Sequence, residues 1–284
     1  MEKGDSIEND MVRHLLESIP LEEYDGRSPK EIHYLVYEPF CENSPLSLSK
    51  DVPEDVLLKI PMYNLIFFFL SLINENQPVK LISKGKLPSK IVNPVFSQHF
   101  IKEDLDKHKS IKIQRISESL SVTNAWVLAE LTGLVKTRKQ ELNLTRKGNR
   151  FLTHQLHSDL FFELFEAFTM KFNWSFNDSY GDNNIGQFGF AYLIDLIARY
   201  GNIPRRFDFY TEKYINAFGG VLPNSDESEK YVISDYFDQC FKLRSFERFL
   251  IWFGLIHISE IKSNSDENIL IKKSDIFDTL FKIE

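Results

Sequence analysis

Apolar and polar positions follow a helical spacing along most of the chain, and this pattern predicts a mainly α-helical protein. The strongest apolar run, LIFFFLSLI from Leu65 to Ile73, predicts a buried helix that extends from Asp55 to about Asn74 and is interrupted or kinked at Pro61. The run is about half as long as the roughly 20 residues that a membrane-spanning helix needs. We therefore expect no membrane segment at this place.

Helix boundaries are predicted where capping residues adjoin the apolar pattern. Ser28 before Pro29 is typical of a helix start, with serine as the N-cap and proline in the first turn, and Pro39 ends that helix. In TNAWVLAELTGL, Thr123 is the predicted cap and Gly133 closes the helix.

The segment GLVKTRKQELNLTRKGNRFL carries the clearest local prediction. LVKTR and ELNLT alternate like two strands of a β-hairpin, and RKGNRFL begins a new helix. Two helical patterns precede the hairpin, so the order is helix, helix, hairpin, as in a winged helix. The same order recurs near the C-terminus, where a helix ends at Gly254 and the strands LIHISEI and NILI follow.

A five-residue pattern strengthens the prediction of a repeat: leucine, a β-branched residue, a small or basic residue, lysine, then glycine or serine. It occurs as LISKG at 81–85, LTRKG at 144–148 and LIKKS at 270–274. We interpret the three copies as marks of three winged-helix-like modules, in which Thr145–Gly148 corresponds to Ile271–Ser274. Glycine is predicted to permit a left-handed turn in two copies, at Gly85 and Gly148.

The predicted fold is mainly α with small β-hairpins, with repeated winged-helix-like modules around a central helical block. The expected division is an N-terminal arm over 1–53, one or more winged-helix-like modules over 54–153, an aromatic-rich helical block over 154–225 and a C-terminal winged-helix-like module over 226–284.

The net charge, the cysteines and the N-terminal residues of the chain argue against some classes of protein. The chain has 284 residues and a net charge of −7, which argues against a surface that binds nucleic acid or membranes everywhere but allows a local basic patch. Cys41 and Cys240 lack the spacing of a metal site or a disulfide framework and are expected to be free thiols. The acidic start MEKGDSIEND has no hydrophobic region of a signal peptide, so we expect a cytoplasmic protein.

The predicted contact surface is a cluster of basic residues around the hairpin at 136–150, where Glu141 is the single acid. Lysine and arginine bind phosphates and release condensed counterions, so the cluster favours nucleic acid as the partner. The candidate contact residues are Lys136, Arg138, Lys139, Arg146, Lys147 and Arg150, with Lys84 and Lys86 near the first glycine turn.

The alternative is a protein-interaction scaffold in which the winged helices only pack. Exposed hairpins carry charges for solubility, and charges at a sheet edge prevent aggregation. The helix before the hairpin, TNAWVLAEL, has no Lys or Arg and contains Glu130, although a winged helix reads the major groove with this helix. The pattern defines no oligomeric state.

Two segments contain possible metal ligands. His154 and His157 could share a helix face with Asp159 and Glu163 beyond them, but a zinc site needs a third ligand, and a structural role is favoured. NDSYGDNN resembles the start of a calcium loop through Asp178 and Asp182. Its glycine falls one place early and Gly189 stands where a glutamate is required, so calcium is rejected and no metal is predicted.

The sequence favours no catalytic chemistry. Trp174, Phe176 and Tyr180 could line a pocket, but they are interpreted as core. No glycine-rich phosphate loop, nucleophile elbow or Cys with a convincing His partner is present, so no cofactor and no catalytic residue is predicted. An enzyme that uses the central block is the weakest hypothesis.

Four segments together resemble an uncharacterised bacterial family, some members of which carry an appended SEC-C zinc motif or come from plasmid-borne open reading frames. The segments are SPKEIHYLVYEPFCENSPLSLSKDVPEDVL, LISKGKLPSKIV, LAELTGLVKTRKQELNLTRKGNRFL and KFNWSFNDSYG, and the resemblance extends from about Ser28 to Gly220. It implies no activity and no functional residue. The chain lacks the SEC-C cysteines, so the resemblance implies no zinc by that route.

Overall fold

The computed structural model describes residues 15–82, 85–103, 119–153, 157–181, 184–219, 230–260 and 269–284, with the backbone alone at 230–235 and 260. The chain forms two compact units. The middle unit comprises 50–179 with 251–254, and the N/C unit comprises 1–49, 180–250 and 255–284. The segment 154–225, predicted as one helical block, is thus divided between the two units.

Helices make up most of the described chain. The α-helices are α1 (Pro29–Tyr37), α2 (Glu54–Leu57), α3 (Pro61–Asn76), α4 (Ser89–Phe96), α5 (Leu120–Leu131), α6 (Arg146–Thr153), α7 (His157–Met170), α8 (Phe190–Tyr200), α9 (Phe207–Phe218), α10 (Lys230–Phe241) and α11 (Phe277–Leu280). A short 3₁₀ helix covers Glu22–Tyr24, and a π-helix covers Lys242–Leu250 directly after α10.

The strands are short and pair antiparallel throughout. They are β1 (Leu46–Leu48), β2 (Val79–Lys80), β3 (Val135–Arg138), β4 (Glu141–Leu144), β5 (Arg205–Arg206), β6 (Ile256–Glu260), β7 (Ile269–Lys273) and β8 (Phe281–Ile283). The sheets have the strand orders β1-β8, β2-β4-β3 and β5-β7-β6. The prediction of a mainly α protein with small antiparallel hairpins is confirmed.

Helix α3 forms the centre of the middle unit. Its buried side chains include Leu65, Ile66, Phe69 and Leu70, and the helix packs against α4, α5, α6 and β4. The predicted buried helix is therefore present. Of the two predicted alternatives at Pro61, the structure shows the interruption: α2 ends at Leu57, and Pro61 is the first residue of α3, where its missing N–H needs no partner.

The predicted hairpin is also present, with Val135 opposite Leu144 and Arg138 opposite Glu141. Gly133 closes helix α5 before the hairpin, as predicted, and its φ of +68° is left-handed. The start of α5 differs from the prediction: Ser119 is the N-cap and accepts from the amide of Val122. The Thr123 hydroxyl lies inside the helix and donates to the Ser119 carbonyl.

Gly148 is required for a reason other than the predicted one. It lies in the first turn of α6, and a Cβ atom at this position would be only 2.1 Å from the carbonyl oxygen of Leu134. Glycine therefore allows the helix to approach the start of the hairpin closely. The predicted left-handed turn is found only at Gly85, where φ is +71°.

An aromatic core fills the N/C unit. Tyr214, Phe237, Phe241 and Phe246 are fully buried, and the ring centroids of Tyr214 and Phe241 lie 4.4 Å apart. Rings from α9, α10 and the π-helix meet here at tilted and edge-to-face angles, the arrangement that aromatic pairs prefer. Much of the high phenylalanine content is thus core packing.

The N-terminal arm joins the N/C unit through α1 and β1. Ser28 and Glu31 form a complete capping box at the start of α1, as the Ser-Pro pair predicts for Ser28. Helix α1 packs against α8, and β1 pairs with β8. The arm is therefore part of the folded unit.

Each unit contains the same order of elements: helix, strand, helix, helix and a two-stranded hairpin, with the first strand paired to the last. In the middle unit this is α3-β2-α4-α5-β3-β4, and in the N/C unit it is α8-β5-α9-α10 with the π-helix, then β6-β7. Leu134 and Leu255 correspond, because each carbonyl accepts at 3.0 Å from the residue after the hairpin, Thr145 or Ser274.

The five-residue pattern does not mark equivalent positions, so this part of the repeat prediction is wrong. Since Thr145 corresponds to Ser274, the predicted match of Thr145 with Ile271 is displaced by three residues. The pattern at 81–85 follows β2, and Leu81 donates to the Gln140 carbonyl of the same sheet that contains β4. The copies at 81–85 and 144–148 thus both belong to the middle unit, and the three copies lie at non-equivalent positions of the fold.

Candidate functional site

The predicted contact residues of β3 lie on the outward face of the sheet β2-β4-β3. Residues directly opposite in adjacent strands project to the same face, and the register places Lys80, Glu141 and Arg138 in one row and Asn143 and Lys136 in the next. The opposite face holds buried Val79, Leu142 and Val135. We call the outward side chains at 80, 136, 138, 141 and 143 the basic sheet face.

The cations of the basic sheet face are exposed. Lys80, Lys136 and Arg138 all face solvent, as does Lys139 in the two-residue turn between β3 and β4. Within the described ranges none of these four has an ion-pair partner within 4.0 Å. Their charges are therefore accessible to an external anion.

The remaining predicted contact residues have different environments. Arg146 and Arg150 are exposed and stand four residues apart on α6, so they share a face of that helix. Lys147 is engaged inside the unit: its Nζ donates to the Thr132 carbonyl at 3.0 Å and pairs with Glu163 at 2.8 Å. Lys86 is exposed, and Lys84 lies outside the described residues.

Helix α5, which precedes the hairpin, presents a face without positive charge. Thr123, Val127 and Leu131 are partly or fully exposed, and Glu130 accepts a 2.5 Å hydrogen bond from the Thr137 hydroxyl. The N-terminus of α5 is filled by the carboxylate of Glu103, which accepts from the amides of Leu120 and Ser121 at 3.0 and 2.9 Å. An internal anion thus holds this helix terminus.

The histidine candidate is structural. His157 Nδ1 lies 2.6 Å from the Tyr63 hydroxyl and its Nε2 lies 3.6 Å from Glu54, so both ring nitrogens face internal partners. His154 lies outside the described residues. Where residues are described, no group of three or more His, Cys, Asp or Glu side chains is arranged to hold a metal ion.

The aromatic candidates serve as packing. Trp174 is buried, donates from Nε1 to the Phe168 carbonyl at 2.8 Å and lies 5.5 Å from the Phe168 ring. Phe176 packs edge-on to the ring of Phe172, and Tyr180 packs on Tyr236. In the rejected calcium loop, Asp178 is buried, and Asp182 lies outside the described residues.

Two open cavities adjoin the middle unit's helices. One of about 520 Å³ is lined by Lys86, Val92, Ser119, Thr123 and Trp126 among others. The other, of about 430 Å³, lies between α6 and α7 and mixes Lys147 and Arg150 with Asp159, Glu163 and Glu166. Its opposite charges stand together, as in the Lys147–Glu163 pair, so it presents no uniform field to a charged ligand.

Sequence reasoning missed a buried ionic cluster in the N/C unit. The Asp195 carboxylate is fully buried and accepts from Arg27 at 2.7 Å and from Arg199 at 2.6 Å. Asp25 accepts from Arg199 at 2.8 Å, from the Tyr200 hydroxyl at 2.6 Å and from Lys213. The signal is Asp195 itself, an acid within the apolar segment FAYLIDLIARY, which requires a cation partner once buried.

The pKa values of Asp25 and of Glu31, which binds Arg27, are shifted. Burial raises the pKa of Asp25, but hydrogen bonds from Lys213 and Tyr200 and the Arg199 charge outweigh it, and the pKa lies below its ordinary value. Burial likewise opposes the lowering at Glu31, where bonds from Ser28 and Arg27 keep the pKa low. Asp25 thus joins the arm to α8 through Arg199 and Tyr200, whereas Glu31 binds Arg27 and Ser28 within the arm.

No protein-family model matches the chain, and no curated protein or solved structure is significantly similar to it. Among the helices in the described parts of the chain, none combines the length and the apolar character required to cross a membrane.

Proposed function

We propose that this protein is a non-enzymatic binding protein that contacts the phosphate backbone of nucleic acid through the basic sheet face and the adjoining turn. The observation that carries the proposal is the exposed, unpaired set Lys80, Lys136, Arg138 and Lys139 within one three-stranded sheet of the described chain. Lysine and arginine approaching phosphates release counterions, and this release drives association.

The order of elements supports the proposal at the level of the fold. Helix, strand, helix, helix and a hairpin whose second strand pairs with the first strand is the order of a winged helix, and both units have it. We therefore propose that both are winged-helix-like modules. The hairpin of the middle unit is the wing, and Lys136, Arg138 and Lys139 lie on it, with Lys80 on the neighbouring strand β2.

The net charge of −7 limits the proposal to a local surface. At about 0.15 M salt, exposed charges are screened beyond roughly 8 Å, so a phosphate at the sheet responds mainly to the cations beside it. Glu141 is the nearest opposing charge, since it lies between Lys80 and Arg138 in the register. We expect it to weaken binding.

Fluorescence anisotropy with labelled nucleic acid at stepped salt concentrations tests the proposal. Affinity should fall steeply with salt, and Lys136→Gln with Arg138→Gln should reduce the slope of log K against log salt by about 2. Glutamine avoids placing an acid opposite Glu141. The matched control, Lys30→Gln with Lys282→Gln, removes two exposed lysines of the N/C unit and should bind like the wild type.

A gain-of-function variant provides an independent test of the same surface. Glu141→Gln removes the acid of the basic sheet face and should tighten binding, by about 3-fold or more at low salt, because a surface charge pair contributes up to about 1 kcal/mol. Glu75→Gln, at an exposed position on α3, should leave the affinity unchanged. Equal affinities for Glu141→Gln and the wild type would argue against contact at this face.

The second candidate function is a scaffold that binds another protein, and one observation favours it. Leu131 on α5 is 41% exposed, and Val127 lies one turn before it on a helix face without a cation. Association through this face should be insensitive to salt and should be lost in Leu131→Asp. Binding that survives Leu131→Asp but not the loss of Lys136 and Arg138 would exclude this alternative.

A further inference from the structure

We infer that the ligand of the basic sheet face is a double helix bound through its backbone without sequence preference, an inference that rests on the proposed function. Three features of the middle unit support it: the composition of the sheet face, the exposed face of α5 and the occupied N-terminus of α5. The first two remove ways in which a protein reads bases, and the third removes a phosphate contact at the helix terminus.

The sheet face provides charge without stacking surfaces. Its outward residues are Lys80, Glu141, Arg138, Asn143 and Lys136, and none of them is aromatic. Proteins that bind single strands combine basic residues with aromatic rings on which unpaired bases stack, at about 1–3 kcal/mol per base. A face of this composition gains nothing from unpaired bases, whereas it gains from the higher charge density of a duplex.

Helix α5 lacks the exposed side chains that make bidentate contacts to bases. The strongest discrimination in the major groove comes from Arg, Lys, Asn or Gln on the inserted helix, and α5 exposes none of these. Glu130 and Leu131 are exposed there, and Thr123, Trp126 and Val127 are half-buried. Asn124, the amide side chain of this helix, is 1% exposed and points into the core. Glu130 would also repel phosphates at a groove edge.

The N-terminus of α5 is not available to bind a phosphate group of the ligand. The amides of Leu120 and Ser121 donate to the Glu103 carboxylate, which also accepts from the hydroxyl of Ser119 at 2.6 Å. The positive end of the helix is thus already neutralised by the protein. The contacts must therefore come from the sheet face and its turn.

The test compares a random-sequence DNA duplex, an RNA duplex and the separated single strands of the same length, each labelled and titrated at stepped salt. We expect at least about fivefold tighter binding of one or both duplexes, with a salt slope between about −3 and −4 for four cations. Duplexes of unrelated sequence should bind within about twofold of one another. The two duplex arms distinguish DNA from RNA.

The variant Val127→Ala checks the role assigned to α5 and should leave affinity and sequence tolerance unchanged. Tighter binding of a single strand, selection of one sequence by more than about tenfold, or a fivefold loss in Val127→Ala would overturn the inference and leave the proposed function standing. Absence of binding to every probe at low salt would instead reject the proposed function, and this inference with it.

Discussion

Gly148 lies where α6 approaches the backbone at the start of the hairpin. A Cβ atom added at this position would be 2.1 Å from the carbonyl oxygen of Leu134. Alanine is favoured over glycine inside a helix by about 0.5–1 kcal/mol, but this gain cannot offset an overlap with backbone that only a shift of α6 relieves. We expect Gly148→Ala to lower the free energy of unfolding by about 1–3 kcal/mol in urea denaturation.

The neighbouring exposed position provides the control. Asn149→Ala should change stability by no more than about 0.5 kcal/mol, because its side chain faces solvent. A Gly148→Ala protein as stable as the wild type would show that α6 does not approach Leu134 this closely.

Asn124 is the opposite case, a buried polar group whose removal should stabilise. It is 1% exposed, and among the described residues neither its side-chain oxygen nor its nitrogen has a hydrogen-bond partner. Leaving such a group unpaired costs about 1–3 kcal/mol, so we expect Asn124→Leu, of similar size, to raise the melting temperature. Asn149→Leu on the exposed face of α6 should not, and a lower melting temperature for Asn124→Leu would contradict the assignment.

At the scale of single residues, the sequence predicted those features that depend only on residues close by in the chain. The Ser28 cap and the left-handed Gly133 follow from short-range rules and are present. The roles of Gly148, Lys147 and Asn124 depend on residues in other elements, and no local pattern reports them.

The hairpin turn of β3-β4 is closed by two residues in an unfavourable backbone conformation. Lys139 and Gln140 have φ values of +51° and +60°, which a two-residue hairpin turn demands but which glycine or asparagine adopts more easily. Gln140→Gly should raise the free energy of unfolding by about 0.5–1 kcal/mol, the relief of strain exceeding the added entropy of the unfolded chain.

The control for this turn keeps the Cβ atom. Gln140→Ala retains the strain and should not stabilise, so thermal melting of the two variants separates backbone strain from loss of the glutamine side chain. Equal melting temperatures for both variants would argue against a strained turn.

At the scale of elements the hairpin was predicted correctly because alternation and turn lie within one short segment. The five-residue pattern misled because its composition is common to lysine-rich segments near strand ends, and the true correspondence of Thr145 with Ser274 is set by hydrogen bonds across the hairpins. The pairing of β2 with β4 involves strands distant in sequence, and alternation cannot reveal it.

For the whole molecule, the lowered pKa values of Asp25 and Glu31 predict the response to acid. A carboxylate whose pKa is lower in the folded than in the unfolded state stabilises above its unfolded pKa, near 4, and loses that contribution as pH falls through the folded value. The melting temperature should therefore change little from pH 7 to about 5 and fall steeply toward pH 3.

The difference between wild type and Glu31→Gln isolates one of these groups. It should be constant near neutral pH and shrink as pH falls below about 4, because protonated Glu31 resembles glutamine. Exposed Glu75→Gln should show no such trend. A stability difference that grows toward low pH would contradict a lowered pKa of Glu31 in the folded protein.

The whole-molecule arrangement was the least predictable from sequence. Each unit is assembled from separated segments, and the ionic cluster joins Asp25 to Arg199 and Lys213 across more than 170 positions. Contacts of this kind depend on the fold as a whole. The basic sheet face could be predicted only in part. Its lysines and arginines are visible in the sequence, but that they share one face follows from the strand register.

The segmented construction of the N/C unit has a consequence for the order in which the chain acquires its structure. Strand β5 finds its neighbour only when β7 has been made, and Ser47 bonds to Lys282, 235 positions away. During synthesis the sheet of the middle unit has all of its strands by residue 144, long before either pairing of the N/C unit is possible. The β2-β4-β3 sheet can therefore form early in synthesis, whereas β1 and β5 gain their partner strands only when the last segment of the chain, 269–284, has been made.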